Sequence, residues 1–355
     1  MMQRVEHRNV WFPGMPFALG SAILFGASTP FSKLLLGSID PWLLAGILYL
    51  GAGIGLSLFL LVRALTVDQP AETPLRPRDL PWLAAVVTAG GVAGPVLLMF
   101  GLSATDASSA SLLLNLEGLA TIGIAWIVFR ENVDRRLLLG AVAILAGAVL
   151  LSWGGEGFRP SWGSLLIAAA CLAWGVDNNL TRKLSSSDPV QIAAVKGMVA
   201  GAVNTSLAIY LGAGAVSPGM IAAGVVIGFL GIGVSLVFFM LGLRQLGTAR
   251  TGAYFSLAPF IGTVLSIVML GDAVTPLLII AGFLMAIGLW LHLSEHHEHE
   301  HAHEEIEHDH RHVHDSHHQH EHDGPVTEPH SHLHRHKPLR HKHPHYPDLH
   351  HRHGH

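Results

Sequence analysis

Between Pro16 and Leu293 the chain is a succession of apolar runs, each about as long as a bilayer is thick, parted by short polar breaks. A hydrocarbon core of about 30 Å takes roughly 20 helical residues. Ten runs meet that length: Pro16–Ser38, Pro41–Val62, Leu80–Ser103, Asp106–Phe129, Arg136–Trp153, Trp162–Leu184, Val190–Gly212, Met220–Leu241, Ala249–Leu270 and Pro276–Leu293. None shows the ten-residue alternation of a membrane strand, so the expected elements are helices. Only 13% of residues are charged, where a soluble domain carries about a quarter. The net charge of -4 averages two unlike regions and points to no nucleic-acid partner.

The breaks carry turn and capping chemistry. Asp40-Pro41 and Asp188-Pro189 each read as an N-cap followed by proline at the first helical position. Gly154-Gly155, Gly212–Ser217 and Thr275-Pro276 are loop signals. Met1 to Pro16 is polar, with Arg4 and Arg8, and the run after it is full length, so a retained first span is expected rather than a signal peptide. Cys171 lies inside an apolar run as a small buried hydrophobe.

Lysine and arginine set the expected orientation. One set of connections holds Arg63, Arg76, Arg78, Arg130, Arg135, Arg136, Arg182, Lys183, Arg244 and Arg250; the other holds essentially Arg159. The first set shares its side with the amino terminus. A multi-pass protein of the cell's inner (plasma) membrane with both termini cytoplasmic follows.

The chain is also a duplication. Phe25 to Pro41 (FGASTPFSKLLLGSIDP) returns from Trp174 as WGVDNNLTRKLSSSDP with one gap, and Gly101–Glu131 aligns without gaps to Gly242–Asp272. Five spans per copy is an odd number, so the copies must lie inverted, as in secondary transporters. The expected fold class is an all-α membrane protein of ten transmembrane helices in two inverted five-helix repeats, with a disordered His-rich cytoplasmic tail. Its parts are an N-terminus (1–15), two repeats (16–153 and 161–293) and the tail (294–355).

On the paired repeats, the G-A-S-T-P-F-S-K segment of the first span and the S-L-L-L-N-L-E stretch of the fourth, the chain resembles the drug/metabolite transporter superfamily, in its EamA-type two-repeat branch. The resemblance implies alternating-access transport of a small organic solute or metabolite. One departure is Gly118, where the family often has proline after the span-four glutamate; proline (Pro259) stands in the second copy.

Charges at bilayer depth cost about 2.5–3.5 kcal/mol or more, so they face the protein interior and are functional suspects. Glu117 lies near the middle of the fourth run, Asp177 with Asn178 and Asn179 in the sixth, and Lys196 in the seventh. Their partners in the other copy are Ala258, Ser28 and Leu48, so the fold alone does not require these charges. Lys196 is expected to pair with Asp177 or Glu117, with Asn115, Asn178, Asn204 and Tyr254 adding hydrogen-bonding groups to a solute pathway. A Lys–Asp pair serving only as glue between helices is the competing reading. Lys33 and Arg182 read as interfacial anchors, as do Trp42, Trp82, Trp153 and Trp162. Gly51/Gly55, Gly197/Gly201 and Gly224/Gly228 are spacings that let helices approach closely.

Of the 26 histidines, all but His7 and His292 follow Ser294. Neutral imidazole is a ligand for Zn, Ni, Co and Cu ions, and H-x-H spacing brings alternate rings to one side of an extended chain. The expected ligands are His296, His297, His299, His301, His303, His308, His310, His312, His314, His317, His318, His320 and His322. Neighbouring Glu298, Glu300, Asp309 and Glu321 can complete a shell. No cofactor is required elsewhere. The expected partners are the bilayer, a small solute and divalent metal, and a homodimer is compatible with them.

Three functions compete. The first is solute export with a metal-responsive tail; the second is transport of divalent metal itself; the third is a membrane metal sensor or chaperone that transports nothing. The spans favour the first, since a metal pathway needs ligands along its length. They hold no nucleophile–base pairing either, which argues against an enzyme.

Overall fold

The computed structural model describes residues 14–66, 75–129, 135–152, 161–181, 184, 187–246 and 248–293, with the backbone of four short tail segments, 298–302, 307–312, 330–335 and 340–344. The helices, in chain order, are α1 (Met15–Leu36), α2 (Pro41–Thr66), α3 (Pro77–Ser103), α4 (Ala107–Val128), α5 (Arg135–Leu151), α6 (Trp162–Thr181), α7 (Pro189–Tyr210), α8 (Pro218–Gly242), α9 (Thr251–Leu270) and α10 (Pro276–Leu293). Seven of them, α1 to α4 and α7 to α9, are long and apolar enough to cross a membrane. Large side chains such as Leu65, Ile127, Val142 and Trp290 lie exposed on the outside of the bundle. An apolar exterior of this kind is stable only against lipid or another apolar surface.

Both aspartate–proline starts cap as their sequence suggests. Asp40 Oδ1 accepts from the Trp42 and Leu43 amides at 2.9 and 3.2 Å. Asp188 Oδ1 accepts from the Val190 and Gln191 amides at 2.9 and 3.4 Å. Each cap satisfies amides that the first turn leaves without intrahelical acceptors.

Polar contacts at the helix ends show how the bundle is strung. At one end Lys33 Nζ donates to the Leu102 and Thr105 carbonyls at 2.6 and 2.8 Å. There too, the Ser108 amide donates to Asp272 Oδ2 at 2.7 Å, joining the end of α9 to the start of α4. At the other end Arg63 pairs with Asp188, and the Leu75 amide donates to Gln191 Oε1 at 2.9 Å. Lys33 is thus a cap on α3 rather than a free interfacial anchor, because the last carbonyls of a helix lack donors of their own.

Glycine sets the packing. Gly53 and Gly197 meet backbone to backbone where α2 crosses α7, while Gly51 lies on the Val225 backbone of α8 and Gly228 on Leu48. Residues without Cβ let helices close to van der Waals contact, where dispersion replaces the hydrophobic drive that lipid removes. Gly140 and Gly288 join α5 to α10 in the same way. Leu44, Leu102, Leu112, Leu113 and Ile167 fill the centre. Trp42, expected at the interface, is instead held edge-on to Phe100, with its Nε1 buried.

Four helices are irregular. A π-helical stretch runs over Val87–Ala93 in α3 and another over Phe229–Val234 in α8. The α4 helix breaks between Leu113 and Leu116, and α9 between Phe255 and Ala258. Carried back without a gap, the Gly101–Gly242 alignment sets 87–93 against 228–234. The duplication therefore preserves backbone irregularities where it preserves few side chains.

In the tail the sequence reading expected no secondary structure, whereas the described backbone forms two antiparallel pairs: β1 (Glu298–Ala302) with β4 (Arg340–Pro344), and β2 (Glu307–His312) with β3 (His330–Arg335). The H-x-H repeat has the period of a strand, which disorder arguments based on composition overlook. Register sets histidine opposite histidine: His299 with His343, His301 with His341, His308 with His334, His310 with His332 and His312 with His330. Glu300 falls opposite Lys342 and Glu307 opposite Arg335, matching the acidic first half to the basic second.

Candidate functional site

The π-helical stretch of α3 is where polar groups from four helices converge. A π turn takes its backbone off the regular ladder, and such turns frequently mark functional sites. Here the Gly90 carbonyl accepts from Tyr49 Oη of α2 at 2.8 Å and from Trp174 Nε1 of α6 at 3.0 Å. The Gly91 carbonyl accepts from Asn204 Nδ2 of α7 at 3.2 Å. Gly90 lies against the Asp177 carboxylate, and Gly91 against Ala200 and the Lys196 stem. The paired glycines thus admit α6 and α7 together.

Lys196 Nζ and Asp177 Oδ2 form an ion pair in this notch, with side chains 16% and 7% exposed. Thr181 Oγ1 donates to the other carboxylate oxygen at 3.3 Å. Lys196, Ala200 and Asn204 are spaced four apart, so one face of α7 delivers all three to α3. Removing one partner of such a buried pair typically costs about 3–5 kcal/mol, because the other charge is stranded. Beside the pair lies a cavity of about 40 Å³, bounded by Tyr49, Ala52, Leu56, Lys196, Ile232 and Gly233. Its far wall is the π-helical stretch of α8.

A second polar group lies on the seam of α4 and α6. The break in α4 places Glu117 in the first turn of the segment Leu116–Phe129, rather than in mid-helix as the sequence suggests. Its Oε1 accepts from Asn178 Nδ2 at 3.0 Å, and the same Nδ2 lies 3.2 Å from Thr121 Oγ1. Asn179 Nδ2 donates to the Thr121 and Gly175 carbonyls at 3.0 and 2.8 Å.

The structure therefore gathers Asp177, Lys196 and Asn204 at one notch and Glu117 with Asn178 at the neighbouring seam; of the two carboxylates expected for Lys196, it takes Asp177. Two expected residues stand apart. Asn115 donates to the Leu112 carbonyl at 2.9 Å and faces Met285, so it serves the α4 break. Tyr254 sits half-buried on the first segment of α9, with no hydrogen bond to the notch. Tyr49, Trp174, Thr121 and the Gly90-Gly91 pair were missed from sequence. Adjacent glycines in mid-span were the available signal.

Of the expected metal ligands, His296, His297, His303, His314, His317, His318, His320 and His322 lie outside the described residues, and His299, His301, His308, His310 and His312 are described in backbone only. Among the described residues no group of three His, Cys, Asp or Glu side chains could hold a metal ion. His292, which closes α10, bonds through Nε2 with the Leu137 carbonyl of α5 at 3.0 Å.

A duplicated helical bundle with an apolar exterior and a buried pair of charges beside a π-helical stretch has the architecture of a multi-pass membrane transporter. The chain belongs to the EamA-like transporter family, whose model matches it twice, over residues 12–153 and 161–294. It is 28% identical over 299 residues to an "Uncharacterized transporter" of Methanothermobacter thermautotrophicus, covering 80% of this chain and 86% of that one. It is 27% identical over 245 residues to a "Probable terminal-alkyne amino-acid exporter" of Streptantibioticus cattleyicolor, covering 67% and 82%. A solved crystal structure shares the fold with a TM-score of 0.58 at 21% identity, over 79% of this chain and 95% of that one.

Proposed function

We propose that the chain is a secondary transporter that exports a small organic solute by alternating access between two inverted five-helix repeats. The observation that carries this reading is the Lys196–Asp177 pair at the Gly90 turn. It joins α6 and α7 of one repeat to α3 of the other, so rocking of the repeats must work on it. In this reading α5, α6 and α10 cross the membrane with the other seven helices, and residues 16–153 and 161–293 are the repeats. The alternating placement of helix ends supports that count. Glu117 and Asn178, polar and partly exposed at mid-span, face a water-filled vestibule rather than lipid. Both termini are cytoplasmic in the plasma membrane, and the tail binds divalent metal as a regulator of transport. Export is favoured by the name of the Streptantibioticus relative.

The test compares metabolites released by cells making the unaltered chain or Lys196→Ala at matched abundance. A solute accumulating outside only with the unaltered chain is expected; identical profiles would overturn the reading. Cellular Ni, Co, Zn and Cu are measured alongside, and a change in metal content would transfer the function to metal transport.

A further inference from the structure

The transporter reading leaves the class of solute open, and the α4–α6 seam bears on it. Lys196 and Asp177 neutralise one another, but Glu117 has no such counterpart. Among the described residues no lysine, arginine or histidine lies within ion-pair distance of it. Its partner is the neutral amide of Asn178. Behind it, Asn179 is almost wholly buried, with both donor contacts going to backbone carbonyls, and its Oδ1 receives no donor. The seam thus offers negative charge and spare acceptors. A Cβ built on Gly118 would meet nothing within 4 Å, so the helix surface next to Glu117 is open.

We infer that Glu117, backed by Asn178 and Thr121, receives the protonated amine of the transported solute. An ammonium supplies three N–H donors and the missing positive charge together. A solute presenting only a carboxylate or phosphate here would meet like charge. A neutral alcohol would supply one donor and no charge. The empty space over Gly118 leaves room for the carbon bearing the amine.

This assignment rests on the transporter reading but fails separately from it. The full chain in lipid nanodiscs is titrated with primary amines of increasing size, each set against the alcohol of the same carbon skeleton, and thermal stabilisation is recorded. At least one amine should stabilise the chain at concentrations roughly tenfold or more below its alcohol. Glu117→Gln should erase that difference, and Glu117→Asp should keep much of it. Equal response to amines and alcohols, no response to any amine, or discrimination intact in Glu117→Gln each overturns the assignment. Those results leave export untouched, whereas normal export by Lys196→Ala would sink the transporter reading whatever the amines do.

Discussion

Gly90 lies directly against the Asp177 carboxylate, so closely that a Cβ on residue 90 would overlap the aspartate's Oδ2, Cγ and Cβ. The relation recurs in the other repeat, where Gly231 lies against Ser28, the residue aligned with Asp177. A glycine in a π-helical stretch touching one position of α1 or α6 is thus part of the duplicated frame. The charge stands in one copy only.

Gly90→Ala should therefore drive Asp177 off Lys196. Overpacking of this kind costs about 1–3 kcal/mol, and transport should fall much further than abundance. Gly118→Ala, by contrast, enters open space and exchanges a weak helix former for a strong one, a gain of up to about 1 kcal/mol. Thermal unfolding of the two variants in detergent gives the comparison, with vesicle transport measured for Gly90→Ala. Equal behaviour would show that the Gly90 contact carries no weight.

The Lys196–Asp177 pair separates a transport role from a structural one through a double-mutant cycle. Lys196→Met and Asp177→Leu should each destabilise by about 3–5 kcal/mol, and the double variant by clearly less than their sum. Stability should recover in the double variant while transport stays lost. Recovery of both would make the pair glue between helices.

Asp188 does two jobs, capping α7 and holding Arg63. Asp188→Ala should cost about 1–2 kcal/mol for the cap alone, plus the stranded arginine. Arg63 is more exposed and should cost less when changed to alanine. The unfolding temperatures of the two variants decide the order, and a larger loss at Arg63 would contradict the capping account.

Metal should follow the tail. The full chain is expected to bind Ni or Zn in calorimetry, and a chain ending at Ser294 to bind none. Replacing His308, His310 and His312 with glutamine should remove more metal than replacing Glu300 and Glu307, since the cross-strand register sets those histidines against His334, His332 and His330. Equal losses would show that register is irrelevant to binding.

Reporter fusions after Arg135 and after Gly324 should report the same side of the membrane. Opposite sides would break the even number of crossings that two five-helix repeats demand.

The apolar runs, the Asp–Pro starts, the repeat and the family were legible in the residues themselves. Run length, capping and duplication are local or periodic properties, and a bilayer leaves a chain little other than helices to form. What tertiary structure decided is which polar groups meet. Gly90 lies far along the chain from Asp177 and Lys196, and no sequence period brings it to them. Nor could spacing show that Asn115 would serve its own helix break, that Tyr49 rather than Tyr254 would reach the notch, or that Lys33 would cap α3. A helical wheel gives each side chain a direction but not a neighbour; neighbours follow from how glycine faces let helices close on one another.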